Sequence, residues 1–210
     1  DLVAEVDPEA QLMGAVNTLV RYTDGYHGFN TDGYGLQSGL RDELQAYCRN
    51  RDVILLGAGG ASRAAVVQCL KDGCRELWVG NRSQERLQAL LTSIPESLAG
   101  QRVRPFNLEL PPEDLPKNPI VINATSVGLK PEDPLLLDPG QFEEGAVFYD
   151  MIYNPWETRF LRTAREFNFP AANGLSMLVY QGARSLEIWT QVSVSVPTMD
   201  EAAKSGLKLP

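Results

Sequence analysis

Val53-Ile-Leu-Leu56-Gly57-Ala58-Gly59-Gly60-Ala61-Ser62-Arg63 predicts a buried strand, a glycine-rich turn and the start of a helix. Gly57 permits the tight turn, and Gly59 lets backbone approach a pyrophosphate. The helix opening near Gly60 presents unpaired N–H groups to that anion, so Gly57, Ala58, Gly59, Gly60 and Ala61 form the expected phosphate cradle. The third fingerprint position, where strand and helix pack closely, carries Ser62, a small residue in place of glycine.

The next strand decides which dinucleotide is expected. Glu76-Leu-Trp-Val-Gly80 ends in Asn81-Arg82-Ser83, with Arg86 one helical turn further on. An NAD site wants a carboxylate there for the ribose 2′-hydroxyl, and a carboxylate would repel a 2′-phosphate. Two guanidiniums, a hydroxyl and a helix N-terminus suit the 2′-phosphate of NADP. The alternative reading is that Arg82 and Arg86 are merely solvated and that Ser83 only caps the helix.

Outward from this core the pattern alternates. A short helix is expected over Pro8–Leu12, a strand over Ala15–Tyr22, a turn at Thr23–Gly25 and a return strand over Tyr26–Phe29. A helix from Asp32 to about Cys48 stacks Leu36, Leu40 and Leu44 on one face. The helix Ala61–Lys71 follows the glycine turn, and Gly73 ends it. Then come a strand Glu76–Val79, a helix Gln84–Leu91 and a strand Val103–Phe106. A proline-rich connection from Leu110 to Pro119 precedes a strand Ile120–Asn123. Beyond it the pattern gives a strand Gly145–Asp150 and helices Trp156–Phe167 and Ser176–Thr190. Such alternation implies an α/β, Rossmann-like, doubly wound parallel sheet covered on both faces. The expected division is an NADP-binding unit of residues 32–175, with residues 1–31 and 176–210 forming part of a discontinuous α/β substrate-binding domain.

Length and composition fit one or two globular domains: 210 residues, 43% hydrophobic and 22% charged. A formal net charge of −8 argues against nucleic-acid or anionic-membrane partners, but not against a phosphate held in a local cationic cleft. No apolar run is long enough to span a membrane. Cys48, Cys69 and Cys74 form neither a disulfide framework nor a metal spacing, and Cys69 is expected to be buried and inert. His27, beside Gly25 and Gly28, reads as an exposed turn residue, so no metal site is expected. A reducing, cytoplasmic setting fits. The chain opens at Asp1 without methionine and enters a helix-like stretch, which reads as a chain cut within a domain. A sheet edge left bare there would be a liability toward aggregation or a homodimer.

Four further clusters carry candidate chemistry. Gly14-Ala-Val-Asn17-Thr18 puts an amide on a strand, and Asn30-Thr-Asp32-Gly33 puts an acid at a helix start. Asn123-Ala-Thr125-Ser126-Val-Gly128 follows a buried strand, and Asn173-Gly174-Leu-Ser-Met177 leads to Gln181 one turn later. Taken singly, Asp32 reads as a helix cap, Asn17 as a strand-edge hydrogen bond, and the asparagine-rich segments as turns.

In order and wording these motifs, with Asp150-Met151-Ile-Tyr153-Asn-Pro155, resemble the shikimate and quinate dehydrogenase family from about residue 10 to about residue 190. The resemblance implies NADP-dependent interconversion of 3-dehydroshikimate and shikimate, a step toward chorismate and the aromatic amino acids. It implies that Asp32 is the acid of a catalytic lysine–aspartate pair and contacts the reacting hydroxyl. Asn17, Tyr153 and Gln181 would contact the substrate. Asn81, Arg82, Ser83 and Arg86 would hold the 2′-phosphate, with Thr125 and Ser126 lining the cleft. Met151 and the backbone at Gly174 would flank the nicotinamide.

One departure stands out. In that family the catalytic lysine and the hydroxyls gripping the substrate carboxylate precede the Gly-Ala-Val-Asn-Thr motif, whereas no lysine here precedes Lys71. Lys117, Lys130, Lys204 and Lys208 match no catalytic motif. Coenzyme binding with little turnover by the 210-residue chain alone is therefore expected. Two alternatives stay open: a quinate/shikimate dehydrogenase using NAD, and a non-catalytic NADP-binding module.

Overall fold

A computed structural model describes residues 3–100 and 102–207. The outermost residues of the expected substrate unit, 1–2 and 208–210 with Lys208, lie outside them. In chain order the elements are β1 (Glu5–Val6), α1 (Pro8–Met13), β2 (Thr18–Tyr22), β3 (Gly25–Phe29), α2 (Asp32–Leu44) and β4 (Val53–Leu56). Next come α3 (Gly60–Lys71), β5 (Leu77–Asn81), α4 (Gln84–Thr92), α5 (Glu96–Ala99), β6 (Val103–Asn107) and β7 (Ile120–Asn123). The chain continues with β8 (Val147–Asp150), α6 (Arg159–Glu166), β9 (Ala171–Asn173), α7 (Leu175–Thr190) and α8 (Val196–Leu207).

Six of the strands form one parallel sheet in the order β6-β5-β4-β7-β8-β9. The chain order reverses between β4 and β7, which makes that boundary the switch point where such sheets bind ligands at their carboxyl ends. Strand residues alternate between two cores. Val53, Leu55, Leu77, Val79, Ile120, Ile122 and Tyr149 pack beneath α2 and α3 on one face. Ile54, Leu56, Val121 and Phe148 pack with Phe160 and Leu161 of α6 on the other. Burial on both faces explains why these strands read as unbroken apolar runs.

A second sheet, β1-β3-β2, holds the expected hairpin. It lies beside α7, whose Trp189 indole N–H donates to Leu19 O at 2.8 Å. α2 and α7 pack closely along one another at Gly35, where an added methyl group would meet Met177 O at 2.7 Å and Gln181 Cβ at 3.1 Å.

Several boundaries differ from the sequence reading. The helix-like start contains a strand, Glu5–Val6, paired in parallel with β3. Helix α2 stops at Leu44 because Gln45 turns left-handed, with φ 49°, and its N–H closes on Leu40 O. Helix α6 starts at Arg159, where the Thr158 hydroxyl accepts the Leu161 N–H. The short elements Ala171–Asn173 and Glu96–Ala99 had no sequence expectation. His27 is not an exposed turn residue: it sits within β3, its side chain 18% exposed, with Nε2 3.1 Å from Asp24 Oδ1. Cys69 is buried and its thiol is raised well above its ordinary range, first by the neighbouring Cys48 thiol (Sγ–Sγ 3.7 Å) and then by desolvation. No helix among the described residues is long and apolar enough to cross a membrane, and no group of three or more His, Cys, Asp or Glu side chains among them is placed to hold a metal.

Candidate functional site

A cleft of about 620 Å³ opens at the carboxyl ends of β4, β5, β6 and β7. Its lining includes Gly57, Ala58 and Gly59 of the glycine turn, Asn81, Arg82 and Arg86 from the end of β5 onward, and Thr125 and Ser126 after β7. The turn is built by two different glycines. Gly57 has φ +121°, and a Cβ on it would lie 2.8 Å from Ser62 Oγ and 2.9 Å from Ala124 O. Gly59 has an ordinary extended backbone (φ −97°). A Cβ on Gly59 or Gly60 would meet nothing within 4 Å. The fold therefore needs glycine at position 57, while the bare backbone at 59 and 60 leaves room for a bound group at the start of α3.

Ser62 strengthens this turn. Fully buried, its hydroxyl accepts the Gly59 N–H at 3.2 Å and reaches Ala124 O at 3.4 Å, fastening the turn to the end of β7. At the β5 end, Asn81 Nδ2 donates to Ser83 O (2.7 Å), and Ser83 Oγ accepts the Arg86 N–H (3.3 Å). Ser83 is therefore a helix cap, as the plainer reading held, and its hydroxyl proton stays available to a ligand. Arg82 and Arg86 are exposed, and neither guanidinium has a carboxylate within ion-pair distance among the described residues. Gly60 and Ala61 lie in the exposed first turn of α3, just outside the cleft lining. The rest of the lining, including Leu108, Glu109, Leu135 and Leu136, had no sequence expectation.

A second group assembles where β2, α2 and α7 meet. Asn17 Nδ2 donates to Asp32 Oδ1 at 2.9 Å and to Thr31 Oγ1 at 3.1 Å, and Asn17 Oδ1 accepts the Thr31 N–H at 3.1 Å. Asp32 is not the cap of α2: that position is Thr31, and the Asp32 carboxyl is turned to Asn17 instead. Burial raises the Asp32 pKa, opposed by the amides of Asn17 and Asn30. Ser185 Oγ lies 2.7 Å from Thr18 Oγ1 and 3.2 Å from Thr31 Oγ1, and donates to Gln181 O at 3.0 Å. Asn17 and Asp32 are thus joined directly, and the hydroxyls of Thr18, Thr31 and Ser185 link them to the backbone of α7 at Gln181. Only Thr18 and Thr31 fall within quoted motifs, and Ser185 carried no signal beyond standing one turn after Gln181.

Met151, Tyr153 and Gly174 belong to neither group's hydrogen bonds. Met151 and Tyr153 follow the end of β8, and Gly174 follows β9. The Gly174 N–H donates to Ile152 O at 3.1 Å, and any side chain at 174 would run into the Met151 carbonyl. Asp150, at the end of β8, is fully buried, and desolvation pushes its carboxyl up to about 6 against hydrogen bonds from Thr158, Ile152 and Asn123.

Residues 41–130 match the model of the Shikimate / quinate 5-dehydrogenase family, and residues 174–204 match the Shikimate 5'-dehydrogenase C-terminal domain. A shikimate dehydrogenase (NADP(+)) of Methanothrix thermoacetophila is 42% identical over 206 residues, covering 98% of this chain and 72% of that protein. A crystal structure of a shikimate dehydrogenase in complex with NADP+ superposes with a TM-score of 0.86 at 34% identity, over 97% of this chain and 71% of that one. The Listeria monocytogenes shikimate 5-dehydrogenase, in complex with shikimate and NAD, superposes with a TM-score of 0.85 at 30% identity, over 95% of this chain and 71% of that one.

Proposed function

This chain belongs to the shikimate dehydrogenase family, and from that premise we propose that it is an NADP-dependent oxidoreductase acting on shikimate and 3-dehydroshikimate. The observation that carries the reading is the strand-end cleft, with its bare glycine backbone and with Arg82 and Arg86, neither of which has a carboxylate partner among the described residues. An NAD site would want an acid where Asn81 stands. On this reading residues 32–175 are the coenzyme unit, while residues 1–31 and 176–210 contribute to the substrate side.

Bound in that cleft, the coenzyme supplies a nicotinamide carbon that takes or gives a hydride. The backbone of Gly57 to Ala61 would hold its pyrophosphate through N–H groups at the start of α3. Arg82 and Arg86 would hold the 2′-phosphate, aided by the Asn81 amide and the Ser83 hydroxyl proton. Thr125 and Ser126 line the same cleft, and Met151 and Gly174 would flank the nicotinamide. Asn17, Gln181 and Tyr153 would orient the substrate hydroxyls. Asp32 would hydrogen-bond the reacting hydroxyl and hold its proton. A carboxyl raised by burial suits that role, because proton transfer is best served by a pKa nearer the working pH.

The family pairs this acid with a lysine, and no lysine precedes Lys71 in these 210 residues. Loss of one acid–base group typically costs around 10²–10⁴-fold, so the 210-residue chain should bind NADP yet oxidise shikimate slowly. Calorimetric titration with NADP and NAD, followed by an absorbance assay for reduced nicotinamide with shikimate and quinate, tests both halves. Tighter binding of NADP than NAD is expected. Equal affinities, or no binding of either, would remove the coenzyme assignment; rapid turnover of shikimate would remove the claim of slow chemistry.

A further inference from the structure

The carboxyl ends of β7, β8 and β9 carry three buried polar side chains in register: Asn123 beside Asp150, and Asp150 beside Asn173. Each reaches beyond its strand to fix a loop. Asn123 Oδ1 accepts from the Thr125 N–H (2.9 Å) and hydroxyl (2.7 Å), and its Nδ2 donates to Val127 O (3.1 Å). Asn173 Oδ1 accepts from the Leu175 N–H (3.1 Å), and its Nδ2 donates to Trp156 O (2.9 Å). Between them, Asp150 Oδ1 accepts from Asn123 Nδ2 (2.9 Å) and the Ile152 N–H (3.0 Å), while Oδ2 accepts from the Thr158 hydroxyl (2.7 Å).

One carboxylate therefore joins the Met151–Tyr153 loop and the cap of α6 directly, and the Thr125–Val127 loop through Asn123. It has no ion-pair partner among the described residues. Burying such a group is costly, and its lone pairs are occupied mostly by groups that shape loops. A dinucleotide with its pyrophosphate on Gly57–Gly60 and its 2′-phosphate at the end of β5 has one direction left for its other half. On that reading the other half would cross the switch point toward the ends of β7 and β8, onto the loops that Asp150 ties.

We propose that Asp150 is a positioning residue for the nicotinamide half of the coenzyme, setting the spacing between the Thr125–Val127 and Met151–Tyr153 loops. The inference rests on the coenzyme reading above. A role confined to the fold would lower stability and weaken every ligand alike; a positioning role separates the two ends of the dinucleotide.

The test compares NADPH with 2′,5′-ADP, which keeps the 2′-phosphate and adenosine but has no nicotinamide. In the 210-residue chain, Asp150→Ala should weaken NADPH by about tenfold or more and abolish the change in nicotinamide fluorescence on binding. Its affinity for 2′,5′-ADP should stay within about twofold of the unsubstituted chain, because that ligand's contacts lie beyond β4 and β5. Asp150→Asn should restore NADPH binding and its fluorescence: the amide oxygen can face Asn123 and Ile152 while the NH₂ donates to Thr158 Oγ1. If Asp150→Ala fails to fold, Asn123→Ala cuts the same tie from the other side and carries the same expectation. Equal weakening of both ligands, or unchanged NADPH binding and fluorescence, overturns the proposal. An unsubstituted chain that binds neither ligand refutes the coenzyme reading itself, and this proposal with it.

Discussion

Replacing Gly59 by alanine should separate stability from coenzyme binding more cleanly than any other change in the turn. At φ −97° the backbone accepts an L side chain, and the new methyl group would meet no protein atom within 4 Å. The unfolded chain has fewer conformations to populate, a gain of about 0.4–1 kcal/mol, against which alanine caps α3 less well than glycine at this N-cap position. For a chain of this size the balance should move Tm by no more than about 4 °C in either direction. The bound state carries the larger cost. A Cβ at position 59 would fill part of the bare space at the start of α3 that a phosphate needs in order to approach the backbone N–H groups. Displacing the pyrophosphate by one charge-assisted hydrogen bond costs about 1.5–3 kcal/mol, or about 10- to 150-fold in affinity. Gly57→Ala is the contrasting control. With φ +121° and backbone oxygen 2.9 Å from the added carbon, strain and overpacking should lower Tm by about 4 °C or more. Thermal melts by circular dichroism and NADP titration by calorimetry read both effects. A Gly59→Ala chain that binds NADP like the unsubstituted one would place the pyrophosphate elsewhere.

Arg82→Ala should lower NADP affinity by about tenfold or more and leave NAD affinity almost unchanged, because only NADP carries the 2′-phosphate; parallel losses in a side-by-side titration would count against the assignment. Asn17→Ala removes a donor 2.9 Å from Asp32 Oδ1, so the already raised Asp32 carboxyl should rise further; carbon-detected NMR titration checks this, and a fall would contradict it. Asp150 gives a stability profile with a definite sign. Its carboxyl ionises near its ordinary value of 3.8 in the unfolded chain and at about 6 in the folded one. Between those values the folded state holds more protons, so this group's contribution to stability declines as pH rises through the window and levels off above it. Asp150→Asn lacks the ionisation, and the stability difference between it and the unsubstituted chain should shift in its favour from pH 4 to pH 7, by on the order of 3 kcal/mol at most. Urea denaturation at the two pH values measures the shift, and a constant difference would refute it.

The parallel sheet was legible because burial on both faces leaves long apolar runs, as in Val53–Leu56 and Ile120–Asn123. The glycine turn was legible because its backbone, φ +121° at Gly57, needs glycine, and the end of β5 because Ser83 caps the helix that follows. Other parts left weaker traces. Ala171–Asn173 is three residues of low strand preference, made a strand by pairing with β8. Gln45 ends α2 through a left-handed backbone that glutamine rarely adopts, so no local signal marked it. The hydroxyl of Ser185 comes near Thr18 and Thr31 only through folding, across 167 and 154 positions of chain. Asp150 read simply as the last residue of a strand, since the partners that raise its pKa come from β7 and from residues 152 and 158.

Helix α7 spans Leu175–Thr190, 16 residues and therefore a rod of about 24 Å. Its beginning abuts Met151 and Ile152 through Gly174, its second turn carries Gln181, and its far end is pinned to β2 by Trp189. A rod held this way converts angle into distance: a tilt of about 5° at Gly174 would carry Trp189 sideways by about 2 Å. Whatever steadies the strand ends beneath the helix start consequently also sets the aim of Gln181, two turns of rigid backbone away.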